Sequence, residues 1–142
     1  MRFTIIIITA CTLFVGCPNP PQSSSGISPA QAVLAAAERP ISGTFVLEVR
    51  GTGRQDEWLY LNSEADYRDQ RCLTIAIPRE VAADLQVKMA GDPESILKGK
   101  KIRVSGTARR VTIWFYSNGM KSDKYYFQTQ VRVSDASQIV VL

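Results

Sequence analysis

The chain has 142 residues, no histidine and a formal charge of +4. The lack of histidine excludes imidazole-based triads and the commonest metal ligand. Residues 40–142 are enough for one hydrophobic core and too few for two.

Met1-Arg2 forms a short positive start, followed by an apolar run from Phe3 to Val15 centred on Ile5 to Ile8. That run is short for a membrane span and leads into a processing signal, so residues 1–16 read as a signal peptide. The signal, Leu13-Phe14-Val15-Gly16-Cys17, resembles a bacterial lipobox, although Phe14 stands where leucine is commonest. The resemblance implies cleavage before Cys17 and lipidation of its thiol. The competing readings are an ordinary signal peptide cut nearby or an uncleaved anchor. Residues 17–28 then comprise the lipidated cysteine and a solvated tether, Pro18-Asn19-Pro20-Pro21-Gln22-Ser23-Ser24-Ser25-Gly26, with no apolar face to bury. Position 18 is not Asp; by resemblance to sorted lipoproteins, this implies the outer membrane, facing the periplasm, where a cell has two. The expectation is an exported protein held to the membrane through Cys17. Cys11 leaves with the signal peptide, so Cys72 is the one thiol remaining and no internal disulfide forms.

Ser28-Pro29-Ala30-Gln31 carries the signals of a helix start, and a short helix is expected over 29–39 with Ala32, Val33 and Ala36 as its apolar stripe. After Pro40 the hydrophobic period becomes two. Phe45, Leu47 and Val49 mark a first strand ending at Gly51-Thr52-Gly53. Glu57–Leu61 is a second strand and Arg71–Ile77 a third, stopped by Pro78. Arg79–Leu85 is helical in composition, with Val81, Ala82 and Leu85 on one side. A fourth strand starts at Lys100, with Ile102 and Val104 inward; alternation then shifts near Arg109-Arg110, before Val111, Ile113 and Phe115. Gly106 plus that shift predicts a bulge that bends the strand. Asn118-Gly119 signals a hairpin. The return strand puts Phe127, Thr129, Val131 and Val133 on one face and Tyr126, Gln128, Gln130 and Arg132 on the other. Ile139 to Leu142 is a last short strand.

Three strands, a helical connection, then a bent strand with its hairpin partner is the order of an OB-fold. The segment from Leu97 through Lys98-Gly99-Lys100-Lys101-Ile102-Arg103-Val104-Ser105-Gly106 to Ala108 resembles the fourth strand of such domains. The tail from Val131 to Leu142 is similar to the end of many bacterial ones. The resemblance covers residues 42–142 and implies a mainly β, five-stranded Greek-key barrel with a short N-terminal helix and a helical segment between strands three and four. It implies no particular ligand, because OB-folds bind nucleic acids, sugars and proteins alike.

Catalysis has little to rest on. Cys72 has no histidine partner and reads as a buried wall residue. The carboxylates Glu64, Asp66 and Asp69 lie in one loop without the glycine and closing glutamate of an EF-hand, so pairing with Arg68 and Arg71 is the better reading. The carboxylate and arginine set of an OB-fold nuclease cannot be placed. No enzyme, metal or cofactor is expected.

Binding is better supported. Leu59 and Leu61 share one face of the second strand, which leaves Trp58 and Tyr60 on the other. Arg50 and Arg54 lie close in strand order, and the late hairpin contributes Trp114, Tyr116, Lys121, Lys124 and Tyr126. Between Lys98 and Arg132 there are nine Lys/Arg and one acid, Asp123, against eleven acids and seven Lys/Arg from Glu38 to Glu94. Aromatics interleaved with cations suit a single-stranded nucleic acid or an oligosaccharide, a base stack being worth about 1–3 kcal/mol. The alternative is an envelope protein–protein module without a small ligand. In that case the helix over 29–38 covers Trp58, or the aromatics pack the wide end of the barrel. The basic run also suits the solvated face of an edge strand.

The lipobox reading generates a direct test. Cys17→Ser should yield an unlipidated protein, read by mass spectrometry of the mature N-terminus; an unmodified N-terminus elsewhere in the wild type would overturn it.

Overall fold

The computed structural model describes residues 25–142; the signal peptide, Cys17 and most of the tether lie outside them. Helix α1 (Pro29–Ala36) begins as expected. Ser28 and Gln31 form a reciprocal capping box, with Gln31 Oε1 accepting from Ser28 N at 3.0 Å. Ala32 and Ala36 bury their methyls against the sheet. Ile27, at the end of the expected tether, is already engaged: its N–H donates to Thr44 O at 2.8 Å and its carbonyl accepts from Val46 N.

The rest is mainly β. Strands β1 (Ile41–Glu48), β2 (Gly51–Gln55), β3 (Trp58–Asn62) and β4 (Leu73–Pro78) come first, followed by helices α2 (Arg79–Met89) and α3 (Pro93–Leu97). Strands β5 (Lys101–Ser117), β6 (Met120–Arg132) and β7 (Ile139–Val141) complete the chain. Helix α2 buries Val81, Ala82 and Leu85, the residues its composition indicated. Helix α3 was not expected, although Asp92-Pro93 is a good start signal: the Asp92 side chain accepts from Ser95 N at 3.0 Å and Pro93 needs no donor in the first turn.

The strands form one seven-stranded sheet in the order β1-β5-β6-β4-β3-β2, with β7 beside β5. This corrects the expected five-stranded closed barrel. Gly51-Thr52-Gly53 does not end the first strand but starts β2, and no ladder joins β1 to β2. The two are halves of one bent segment that changes partner at its corner: Val49 N donates to Lys100 O, whereas Arg50 N donates to Asn62 O. Beyond the corner β2 pairs with β3, β3 with β4, and β4 runs parallel to β6. The enclosed core includes Phe45, Leu61, Ile75, Leu85, Leu97 and Ile102, all fully buried. Each such side chain contributes roughly 1.5–3 kcal/mol relative to exposure.

The predicted bulge at Gly106 is also corrected. The β1–β5 register runs unbroken from Glu48↔Lys101 to Ile41↔Ala108, and β5–β6 continues unbroken to Trp114↔Tyr125. The irregularity falls further out, between Trp114 and Tyr116. The shift in hydrophobic phase has another cause. The face that buries Ile102, Val104 and Ala108 inside the sheet becomes Arg110, Thr112 and Trp114 once β5 has passed β1. The opposite face then turns apolar with Val111 and Ile113. Phe115 and Phe127 are 46% and 40% exposed because the hairpin projects as a free two-stranded ribbon. Asn118 and Gly119 turn it, both with positive φ as a tight primed turn requires.

Gly106 is there for space. A Cβ on it would lie 2.8 Å from Cγ1 of Val131, a stiff and fully buried side chain. Gly106→Val should therefore cost about 1–3 kcal/mol by overpacking and lower the melting temperature, whereas Gly53→Ala, with open space around its Cβ, should leave it nearly unchanged. Equal melting temperatures for the two variants would refute this account.

Candidate ligand groove

The core occupies one face of the sheet. The registers place Tyr60 and Asn62 of β3, Thr74 and Ala76 of β4, and Gln128, Gln130 and Arg132 of β6 together on the other. Arg109, Val111 and Ile113 of β5 continue that face. Over it lies a groove of about 260 Å³. Thr52, Gly53, Arg54 and Gln55 of β2 form one wall, and Ile113 and Tyr126 of the ribbon form the other. Tyr60, Asn62, Gln128 and Gln130 lie beneath, and Tyr67 closes one end. Gly53 sits opposite Tyr60 with nothing within 4 Å of the position a Cβ would take, so its missing side chain is part of the groove's volume.

The floor is polar, buried and internally satisfied. Gln130 Nε2 donates to Gln128 Oε1 at 2.7 Å, Gln128 Nε2 donates to Tyr67 O at 3.2 Å, and Thr74 Oγ1 donates to Asn62 Oδ1 at 2.9 Å. Cys72 is buried beside this set, with Sγ 3.7 Å from Thr74 Oγ1. Buried amides held in this way are costly to disturb and keep one geometry. Tyr67 leans on Tyr126 at 6.5 Å between ring centroids. Its loop is braced by Arg68–Asp66 at 3.1 Å and Arg71–Asp69 at 2.8 Å. Hydrogen bonds from Arg71 hold the Asp69 carboxyl down at about 2, and those from Arg68 lower that of Asp66. These carboxylates are taken up by arginines, and no group of metal-ligating side chains occurs among the described residues.

Three of the nine expected ligand residues, Arg54, Tyr60 and Tyr126, line this groove. Arg54 is not free there: its guanidinium bonds Asp92 at 2.7 Å and Glu94 at 2.9 Å at the start of α3. Trp58 shares the sheet face but borders α2, not α1, beside Arg79 and Ala82; Arg132 Cζ stands 5.4 Å from its ring. Arg50 is turned to Glu64 at 3.4 Å and Glu48 at 4.0 Å. Trp114 lies on the other face of the ribbon, under Lys121 Nζ at 3.6 Å and against Tyr125 at 5.0 Å. Tyr116 is exposed near the ribbon tip, and Lys124 sits in the irregular stretch of β6. The expected single cluster is thus divided between two faces. Gln128, Gln130, Tyr67 and Ile113 were not foreseen. The glutamine pair was visible as polar positions in the β6 alternation, but nothing in the sequence marks those positions as buried.

No family model matches the chain, and no curated protein or solved structure does so.

Burial raises the hydroxyl pKa of Tyr60 above the ordinary 10.0, with Arg132 partly opposing it; burial likewise raises that of Tyr126, followed by the effect of Tyr67. Both phenols stay neutral donors at physiological pH. A raised folded-state value gives stability that is present below pH 10 and lost as pH rises through the raised values. Absorbance titration should show two late-ionising phenols, one removed by Tyr60→Phe and one by Tyr126→Phe. Ionisation of both at or below 10 would contradict the burial.

Proposed function

We propose that the protein is an exported, lipid-anchored binding module with an OB-type domain, and that the groove over β3, β4 and β6 holds an oligosaccharide. The observation that carries this reading is the groove's lining. It combines the rings of Tyr60, Tyr67 and Tyr126 with the amides of Asn62, Gln128 and Gln130, and among the described residues Arg54, already held by Asp92 and Glu94, is its one charged side chain. Tyrosine rings suit the apolar faces of sugar rings, while neutral hydroxyls and amides suit their hydroxyl groups. A polyphosphate backbone would ask for unpaired cations in the same place.

The pairing order supports the OB reading. With β1 and β2 taken as one bent strand, the sequence β1/β2–β3–β4, the parallel β4–β6 pair and the antiparallel β6–β5–β1 return follow the five-stranded Greek-key order. The groove then lies on the face and between the loops that such domains use. The lipobox-like segment and Pro/Ser-rich tether support anchoring at the envelope; among the described residues no helix is long and apolar enough to cross a membrane. A binding role fits better than an enzymatic one, because the groove offers held phenols and amides and the chain has no histidine.

The ribbon favours a second reading, docking of a protein partner. Trp114, Tyr125 and Phe127 form an exposed row, with Lys121 over one end and Arg110 Cζ 3.7 Å from the Phe127 ring at the other.

The two readings separate by mutation. Gly53→Leu should fill the groove and abolish binding of chitotetraose or maltotetraose with little change in melting temperature, and Tyr126→Ala should weaken it about tenfold, 1.4 kcal/mol. Trp114→Ala should leave sugar binding unchanged. Sugar binding that survives Gly53→Leu, or is lost with Trp114→Ala, would overturn the groove reading.

A further inference from the structure

Building on the oligosaccharide reading of the groove, we propose that its ligand is an acidic glycan, whose carboxylate or sulfate is held by Arg109 and Arg132 at the far end of the same sheet face. Gln130 lines both the tyrosine groove and a second, neighbouring cavity of about 540 Å³ bordered by Arg109, Arg132, Thr107 and Gln138. Arg109 pairs across the ladder with Gln130, and Arg132 follows Gln130 by two residues on the same face of β6. The two arginines are therefore diagonal neighbours on one surface. Both are exposed, and neither makes an ion pair among the described residues. Like charges set side by side on a sheet face are unfavourable unless an anion lies between them.

The surroundings fit an anion subsite. Arg132 stands against the Trp58 ring, which steadies a guanidinium without neutralising it. Gln138 is fixed by donation from its Nε2 to Ser105 O at 2.8 Å. Asp135, the acid of the adjoining turn, accepts from Ser137 N at 2.7 Å. A planar guanidinium recognises carboxylate or sulfate through paired N–H donors, and both arginines border the same cavity.

The distribution of charge favours a glycan over a nucleic acid. From Tyr126 to Arg132 the face extends about 20 Å along β6, room for several pyranose rings. Cations without an acid partner among the described residues stand at one end of it, whereas a nucleic acid carries a phosphate on every unit and the groove's one arginine is bound to Asp92 and Glu94. A sugar chain with an acidic group on some of its rings matches that layout.

The test compares hyaluronan tetrasaccharide, which carries glucuronate, with neutral chitotetraose and with oligo-dT. Binding is read by fluorescence in a Trp114→Phe background, so that Trp58 is the reporter, and by calorimetry. The expected result is a preference of about tenfold for hyaluronan over chitotetraose, reduced by salt. In Arg109→Gln/Arg132→Gln this preference should vanish while chitotetraose affinity holds. Equal binding of the two sugars by the wild type, or a preference that survives the double substitution, overturns the acidic subsite and leaves the groove reading standing. Oligo-dT binding more tightly than hyaluronan overturns the glycan class. If no tetrasaccharide binds but free glucuronate, and not glucose, perturbs Trp58 in the wild type and not in the double variant, the groove reading fails and the anion subsite stands. No response to any of these ligands overturns both.

Discussion

Strand β5 is hydrogen-bonded to β1 on one side and to β7 and then β6 on the other, and the rest of the molecule is arranged by where those partners stop. Up to Ala108 its even-numbered side chains face the core. At Ala108 the strand still pairs with both Ile41 and Val131; beyond it β1 is gone and β6 alone remains. With no second layer beneath it, the inward face has nothing left to bury against. Arg110, Thr112 and Trp114 occupy it there. The odd-numbered face gains Val111 and Ile113, and Ile113 lines the groove together with Tyr60. One continuous strand thus supplies core, groove wall and projecting ribbon, in register until the irregularity between Trp114 and Tyr116 out in the ribbon.

The groove depends equally on a layer that is buried yet polar. Gln128, Gln130, Asn62 and Thr74 are each less than a tenth exposed and bond one another or the backbone of Tyr67. Removing one amide would leave its partner unsatisfied, at roughly 1–3 kcal/mol. The layer holds Tyr67 through the bond from Gln128 to its carbonyl, and Tyr67 in turn leans on Tyr126. Salt bridges then set the electrostatics: Arg54 is neutralised by Asp92 and Glu94, whereas among the described residues Arg109 and Arg132 have no acid partner. A face of mixed character results, in which tyrosines and neutral amides line the groove and Arg109 and Arg132 border the neighbouring cavity.

The ribbon is a separate device. Its exposed row from Lys121 through Trp114, Tyr125 and Phe127 to Arg110 is a continuous run of cation and ring contacts. Stacking of this kind keeps the aromatics ordered without burying them. It also explains why the aromatic content of the hairpin does not add to the core.

The α1 capping box, the buried face of α2, the β period of the strands and the Asn118-Gly119 turn were legible in the sequence because each depends on neighbours within a few residues. So was the core set Phe45, Leu47, Leu59, Leu61, Ile102 and Val104, since alternation alone marks a face. The lipobox-like segment is equally local, but it lies outside the described residues. What the sequence left open depends on which strands lie side by side. The phase shift near Arg109 looks the same whether it comes from a bulge or from a strand leaving the sheet, and only the end of β1 at Ile41 decides between them. Burial of Gln128 and Gln130 needs the loop of Tyr67 to fold over them, and the neutralisation of Arg54 needs α3, thirty-eight residues away at Asp92, to arrive beside it. Hydrophobic period and turn chemistry are properties of a segment, whereas a binding face is made by segments distant in the chain, and tertiary packing alone brings those together.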